Sequence, residues 1–174
     1  MTSIEAQEGR LAEAPLRERI EAFLRAHHTA SVATVGPPGS AEAGMPHAAS
    51  VFYATDERLR LIFLSKPTSR HGRDIVAGGQ VALTVAGEYD DWRDIQGVQL
   101  WGTASVLSGT SRAGAMGTYV ARFPFVRAVL TEPRLALRLA QVEVFRVTLT
   151  RAAMTDNRRG LFGQEVLENL WAGG

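Results

Sequence analysis

LSKPTSRHGRDI, running from Leu64 to Ile75, lies between two apolar runs that both read as strands, LRLIFLS (59–65) and GGQVALTVAGEY (78–89). A plain connection there needs turn residues and little else. Instead, Ser65, Lys66, Thr68, Ser69, Arg70, His71 and Arg73 crowd into it. Pro67-Thr68-Ser69 followed by RHGRDIVA reads as a helix start, with Thr68 or Ser69 as the N-cap. Amide groups at a helix N-terminus, aligned with its dipole, favour an anion. Ser69 adds a hydroxyl, Arg70 a planar fork, His71 a further donor and Lys66 a point charge. Each suits a phosphate or carboxylate. The same residues also suit a plain cap with an arginine facing water, and the stretch lacks the glycine spacing of a P-loop or dinucleotide fingerprint.

Outward from this segment the chain reads as short strands joined by short turns. PLRERIEAFLRAHH (15–28) places Leu16, Ile20, Phe23 and Leu24 at helical spacing, with Pro15 suited to a first turn. TASVATV, the turn GPPGS, MPHAASVFYA (45–54), the turn TDER and LRLIFLS then form a meander, which favours antiparallel pairing. GVQLWGTASVL (97–107) is a further strand. Residues 109–140 read as helical, with a break at Pro133. VEVFRVTLTRAAM (142–154) returns as a strand. The tail TDNRRGLFGQEVLENLW is polar with isolated aromatics, and within it DNRRGLFG (156–163) reads either as a loop over a pocket, with Gly160 and Gly163 permitting tight turns beside Phe162, or as a loose end. About six strands flanked by helices predict an α+β, mainly β fold, with the sheet closed as a small barrel. Residues 1–13 carry no periodic pattern and are expected to be flexible, and 14–174 to form one domain.

Composition narrows the function classes. A formal net charge of +1 gives no global basic field, so nucleic acid is not expected as a partner. The absence of cysteine excludes disulfides and thiol chemistry. No apolar run reaches the length of a membrane span, and the acidic N-terminus is unlike a signal peptide, so a soluble cytoplasmic protein is expected. His27, His28, His47 and His71 show no metal-ligand spacing, and no metal is predicted. His27 and His28 suit the C-terminal end of the first helix. Ser31, Ser50 and Ser65 lack a nucleophile-elbow context.

The order of these elements, helix, strand, MPHAASVFYA, LRLIFLS, TSRHGRDI, strand and GVQLWG, resembles the pyridoxamine-phosphate-oxidase-like family of FMN-binding split barrels. The resemblance covers about Pro15 to Gly163. It implies a six-stranded antiparallel split β-barrel with flanking helices, assembled as a homodimer with FMN between subunits. Ser69-Arg70-His71 matches the family's phosphate-holding segment, with His71 in place of a lysine. Phe63, Leu64 and Ser65 match the strand beside the flavin ring, and His47, Ala48, Ala49 and Ser50 the strand passing under it. The oxidase proper has basic residues on that second strand, and their replacement here argues against pyridoxamine phosphate oxidation itself. Gln99 matches a glutamine often placed near the cofactor, and Trp101, two positions on, shares its face. The function implied is an FMN-dependent oxidoreductase of unspecified small-molecule substrate, with no side chain named as catalytic. The same barrel also suits a non-catalytic flavin, deazaflavin or haem binding protein. Because histidine stands in the lysine position, phosphate affinity is expected to fall as pH rises past neutrality.

Overall fold

The computed structural model describes residues 15–160 and 163–168. Helix α1, Leu16–Ala26, follows Pro15 at its N-cap and turns Ile20, Phe23 and Leu24 inward. These three plug one end of the barrel, where they join the main apolar cluster. His27 Nδ1 sits 2.8 Å from the Phe23 carbonyl oxygen, as a helix-terminal histidine should.

Seven antiparallel strands follow: β1 (Thr29–Val35), β2 (Pro46–Thr55), β3 (Leu61–Ser65), β4 (Gln80–Ala86), β5 (Gln96–Val106), β6 (Glu143–Asp156) and β7 (Gln164–Glu168). Their order is β3-β2-β1-β4-β5-β6-β7, and an added β3–β6 pairing closes six of them into a barrel. Strict alternation drives this. Ala30, Val32 and Thr34 of β1, and Val81, Leu83 and Val85 of β4, are buried, while their neighbours face out. Four further α-helices, α2 (Arg70–Gly78), α3 (Gly109–Arg122), α4 (Phe125–Thr131) and α5 (Pro133–Leu139), and two short 3-10 turns, Trp92–Asp94 and Asn157–Arg159, complete the described chain. Pro133 stands at the first position of α5, where Glu132 caps the helix through the amides of Arg134 and Leu135. Pairs of apolar residues in LIFL find cover on both sides. Leu61 and Phe63 enter the barrel, and Ile62 packs beneath α3 with Tyr119, Phe123 and Val144.

The tail differs from the sequence reading. Asn157–Arg159 of DNRRGLFG forms a short 3-10 turn, and beyond it Gln164–Glu168 forms β7, a strand the sequence reading did not include, paired with Arg151–Thr155 of β6. The cause is the brevity of β3, which pairs only with Glu143–Val147 and leaves the rest of that β6 edge open. Arg19 of α1 donates to Glu165 at 2.6 Å and ties β7 to the helix. Leu161 and Phe162 of the expected pocket loop, and the N-terminal segment 1–13, lie outside the described residues. Among the described residues, no helix is long and apolar enough to cross a membrane, and no cluster of three or more His, Cys, Asp or Glu is placed to hold a metal.

Candidate functional site

β3 ends at Ser65 and β2 does not. β2 pairs with β3 only through Tyr53–Thr55, so from Pro46 to Phe52 no described strand covers its second edge. The chain leaving β3 turns through Lys66–Thr68 into α2, which packs against β1, β2 and β5. The end of β3, the open stretch of β2 and the N-terminus of α2 meet at a notch, where the His47 and His71 rings face each other.

Ser69 is the N-cap of α2. Its Oγ accepts from the Gly72 amide at 3.2 Å and donates to the Lys66 carbonyl at 2.7 Å. Gly72 is required here, because a Cβ would stand 2.4 Å from the Lys66 oxygen. Ser65 Oγ lies 2.7 Å from His71 Nε2 and 3.3 Å from Ser69 Oγ, and Ser69 Oγ lies 3.2 Å from the same nitrogen. Two hydroxyls and an imidazole thus form a closed triangle. The His47 ring lies parallel to His71, with centroids 6.0 Å apart. Burial holds His71 below the ordinary histidine range, and the nearby His47 charge pushes the same way against the weaker pull of Asp74. The free protein therefore holds the His71 proton less firmly than an ordinary histidine does.

Arg70 is not an idle donor. Its Nε donates to Asp74 Oδ2 at 3.1 Å, its Nη2 to the Met45 carbonyl at 3.0 Å, and its Nη1 meets Glu42 Oε1 at 2.6 Å. Asp74 also accepts from Thr34 Oγ1 at 2.7 Å. Arg73 reaches the other Glu42 oxygen at 3.6 Å and donates to the Thr68 carbonyl at 2.7 Å. Sequence reading missed Glu42 and Asp74. The i,i+4 spacing of Arg70 and Asp74 was a usable signal for the second, but nothing local pointed to Glu42, 28 positions earlier in the chain.

The other expected residues divide between two faces. Alternation along β2 sends His47 and Ala49 toward α2 and the core, and Ala48 and Ser50 outward. Phe63 is fully buried and stacked on Phe145, and Leu64 packs into the cluster under α3, so only Ser65 of that trio brings a side chain to the notch. Lys66 and Thr68 are exposed on the turn. Gln99 and Trp101 share a face, as their spacing requires, but it is the outer face of the barrel. There they line an open groove of about 380 Å³ with Ser31, Ala33, Ala48 and Thr84. Gln164 donates to Gln99 at 3.4 Å, and the Arg151 guanidinium sits 4.7 Å above the Trp101 ring. A second cavity of about 470 Å³ opens between α2 and Pro37, Pro38 and Pro46, and shares Ala33, Ala82 and Trp101 with the first.

This architecture has relatives. A UPF0306 protein of Yersinia pseudotuberculosis (serotype O:1b, strain IP 31758) is 32% identical over 149 residues, which span 84% of this chain and 88% of that protein. A haem-binding protein from Mycobacterium smegmatis superposes with a TM-score of 0.65 at 14% identity over 84% of this chain, which spans 57% of that protein. The haem storage protein HutZ from Vibrio cholerae gives 0.62 at 16% identity, covering 89% of this chain and 95% of that one. Those two likenesses speak for the fold. The sequence profile described as pyridoxamine 5'-phosphate oxidase matches residues 16–155. Since that match runs from α1 through the barrel strands, the chain belongs to the pyridoxamine 5'-phosphate oxidase family.

Proposed function

We propose that this protein binds FMN at the notch and acts as an oxidoreductase on a small molecule, as a homodimer with the cofactor near the subunit boundary. The observation that carries the reading is the convergence of Ser65, Ser69 and His71 at the start of α2, beside the unpaired edge of β2. An open strand edge presents backbone N–H and C=O groups in alternation. That pattern complements the carbonyls and imide of a flavin's pyrimidine ring. The first amides of α2, the Ser69 hydroxyl, His71 and the exposed Lys66 suit the phosphate end. Arg70 can join them by exchanging Glu42 for phosphate. When bound, the flavin supplies hydride transfer, and this chain supplies position, electrostatics and access.

The outer groove supports the dimer. Ala33, Ala48, Ala82, Ser31 and Thr84 give β1, β2 and β4 a face of small side chains, which a second copy can approach closely. Gln99 and Trp101 would then reach the partner's notch rather than their own. The test is titration of the purified protein with FMN, followed by flavin fluorescence and the visible spectrum, then turnover with a reduced nicotinamide. Unchanged flavin fluorescence at saturating protein would end the FMN reading. Binding without turnover would leave a flavin binder in place of an enzyme.

A second reading keeps the fold and exchanges the ligand for haem. It is favoured by the parallel His47 and His71 rings, since imidazoles are iron ligands. A Soret band that forms on haem addition and is lost in both His47→Ala and His71→Ala would select it over FMN.

A further inference from the structure

Arg70 has three nitrogens able to hold a ligand's oxygen, and each is engaged. Nε is held by Asp74, on its own helix. Both terminal nitrogens are held by a single other segment, the β1–β2 connection of residues 36–45: Nη1 by the Glu42 carboxylate and Nη2 by the Met45 carbonyl. One piece of chain therefore covers the whole presenting edge of the fork. That connection is also folded on itself. The Gly36 amide donates to Met45 O at 3.1 Å, Gly44 to Gly36 O at 3.0 Å and Met45 to Glu42 O at 3.0 Å. Gly36 permits the approach. A Cβ there would lie 1.9 Å from the Glu42 carbonyl oxygen and 3.1 Å from Arg70 Nη2.

The two carboxylates on Arg70 differ in how easily they leave. Asp74 has a side chain only 3% exposed and a second bond from Thr34, whereas the Glu42 side chain is 43% exposed. Release of Glu42 into water costs little, since exposed ion pairs contribute little. Release of Asp74 would strand a buried charge. Arg70 and Arg73 together already face two carboxylates, so an arriving dianion meets a locally neutral group until Glu42 departs.

We propose that Glu42 is an internal competitor at the anion seat: it occupies Arg70 in the free protein, and an incoming phosphate displaces it, freeing the 36–45 strap. This rests on the FMN reading above. A phosphate monoester is a dianion above its second ionisation near pH 6 and offers a bidentate edge to the guanidinium, which a single carboxylate oxygen cannot match. A neutral ligand has nothing to exchange for Glu42. Glu42 therefore weighs on the binding of FMN and not on that of riboflavin, the same ring system without the phosphate.

The experiment compares wild type, Glu42→Gln and the double variant Glu42→Gln/Arg70→Ala at pH 7.5. FMN and riboflavin affinities are read from flavin fluorescence, and hydrogen–deuterium exchange is read on peptides covering 36–45. Glu42→Gln is expected to tighten FMN by about two- to fivefold, the range of a partly exposed ion pair, and to leave riboflavin unchanged. The gain should vanish in the double variant. In wild type, FMN should speed exchange of the Gly36, Gly44 and Met45 amides, the reverse of the usual protection by a ligand. Equal FMN affinity in wild type and Glu42→Gln, or slower exchange across 36–45, overturns the strap while FMN binding stands. Failure of all three proteins to bind FMN overturns the cofactor reading and the strap with it.

Discussion

LIFL in β3 and VALTVA in β4 look alike as sequence, each with apolar residues at consecutive positions, and the fold treats them differently. In β3 both faces are covered within the chain, because α3 lies across Ile62 and brings Tyr119 and Phe123 onto it. In β4 the inner Val81, Leu83 and Val85 are buried, whereas Ala82 is half covered and Thr84 and Ala86 face solvent. Burial on both faces is therefore no evidence of a partner by itself. The β4 side, where small residues line an open groove, is the side proposed for a second copy.

The largest expected effect breaks the covered side. Ile62→Ala removes a side chain buried between β3 and α3 and should cost about 2–5 kcal/mol in urea unfolding. Thr84→Ala, the outward counterpart on β4, should stay within about 0.5 kcal/mol. Similar losses at both positions would erase the distinction between the two strands. Next in size is association. A wild-type particle at micromolar concentration is expected at twice the 18.8 kDa chain mass by sedimentation, and Ala82→Asp should return it to one chain mass while leaving the monomer's circular dichroism intact. A wild-type monomer, or an unaffected Ala82→Asp dimer, would show that the groove is not the subunit contact.

A third measurement sharpens the contrast between the notch and the groove. Arg70→Ala should weaken FMN by about 1–2 kcal/mol, less than a free arginine fork would, because Glu42 must first be given up. It should also lower unfolding stability by leaving the buried Asp74 with Thr34 alone. Arg70→Lys is expected to restore little, since a point charge cannot serve Asp74, Met45 and Glu42 together. Gln99→Ala in the same assay should affect FMN only through the dimer. A full FMN affinity in Arg70→Ala would remove Arg70 from the phosphate site.

The smallest effect is on pH. His71 is held below the ordinary value of 6.5, by burial first and His47 second, so the unfolded chain binds its proton more readily than the folded one. Its contribution to stability is present in full above about pH 6.5 and is lost as pH falls through the lower folded value. Thermal unfolding from pH 8 to pH 5 should show a steeper acid decline in wild type than in His71→Gln. Parallel curves would mean that the Ser65–His71 contact survives protonation. For FMN, this moves any pH dependence of the free site to the acid side of neutrality rather than the alkaline side suggested by a histidine in a lysine's place.

The legible features share a cause. Ser69 as the cap of α2, the break at Pro133, the plug of Ile20, Phe23 and Leu24, and the shared face of Gln99 and Trp101 all follow from periods and local chemistry within a few residues. β7 was missed because its five residues carry no strong alternation. The strand exists because β6 has a spare edge, and that edge exists because β3 stops at Ser65.

What the sequence determined by itself was the succession of elements, the closed barrel implied by the resemblance, and the helix start that gathers hydroxyls and cations at residues 65–71. Only the tertiary structure decided which of those groups meet. It put His47 on one side of β2 and Ala48 on the other, set Gln99 and Trp101 on the outer face of the barrel, lowered the proton affinity of His71 by burial, and gave Arg70 to Glu42 and Asp74. Side-chain direction along a strand is local, but the partner opposite a charge is not. Pairing of Arg70 with Glu42 depends on β1 and β2 being adjacent and on a loop short enough to fold back. Packing of α2 against β1 and β2 sets that distance, and spacing along the chain does not.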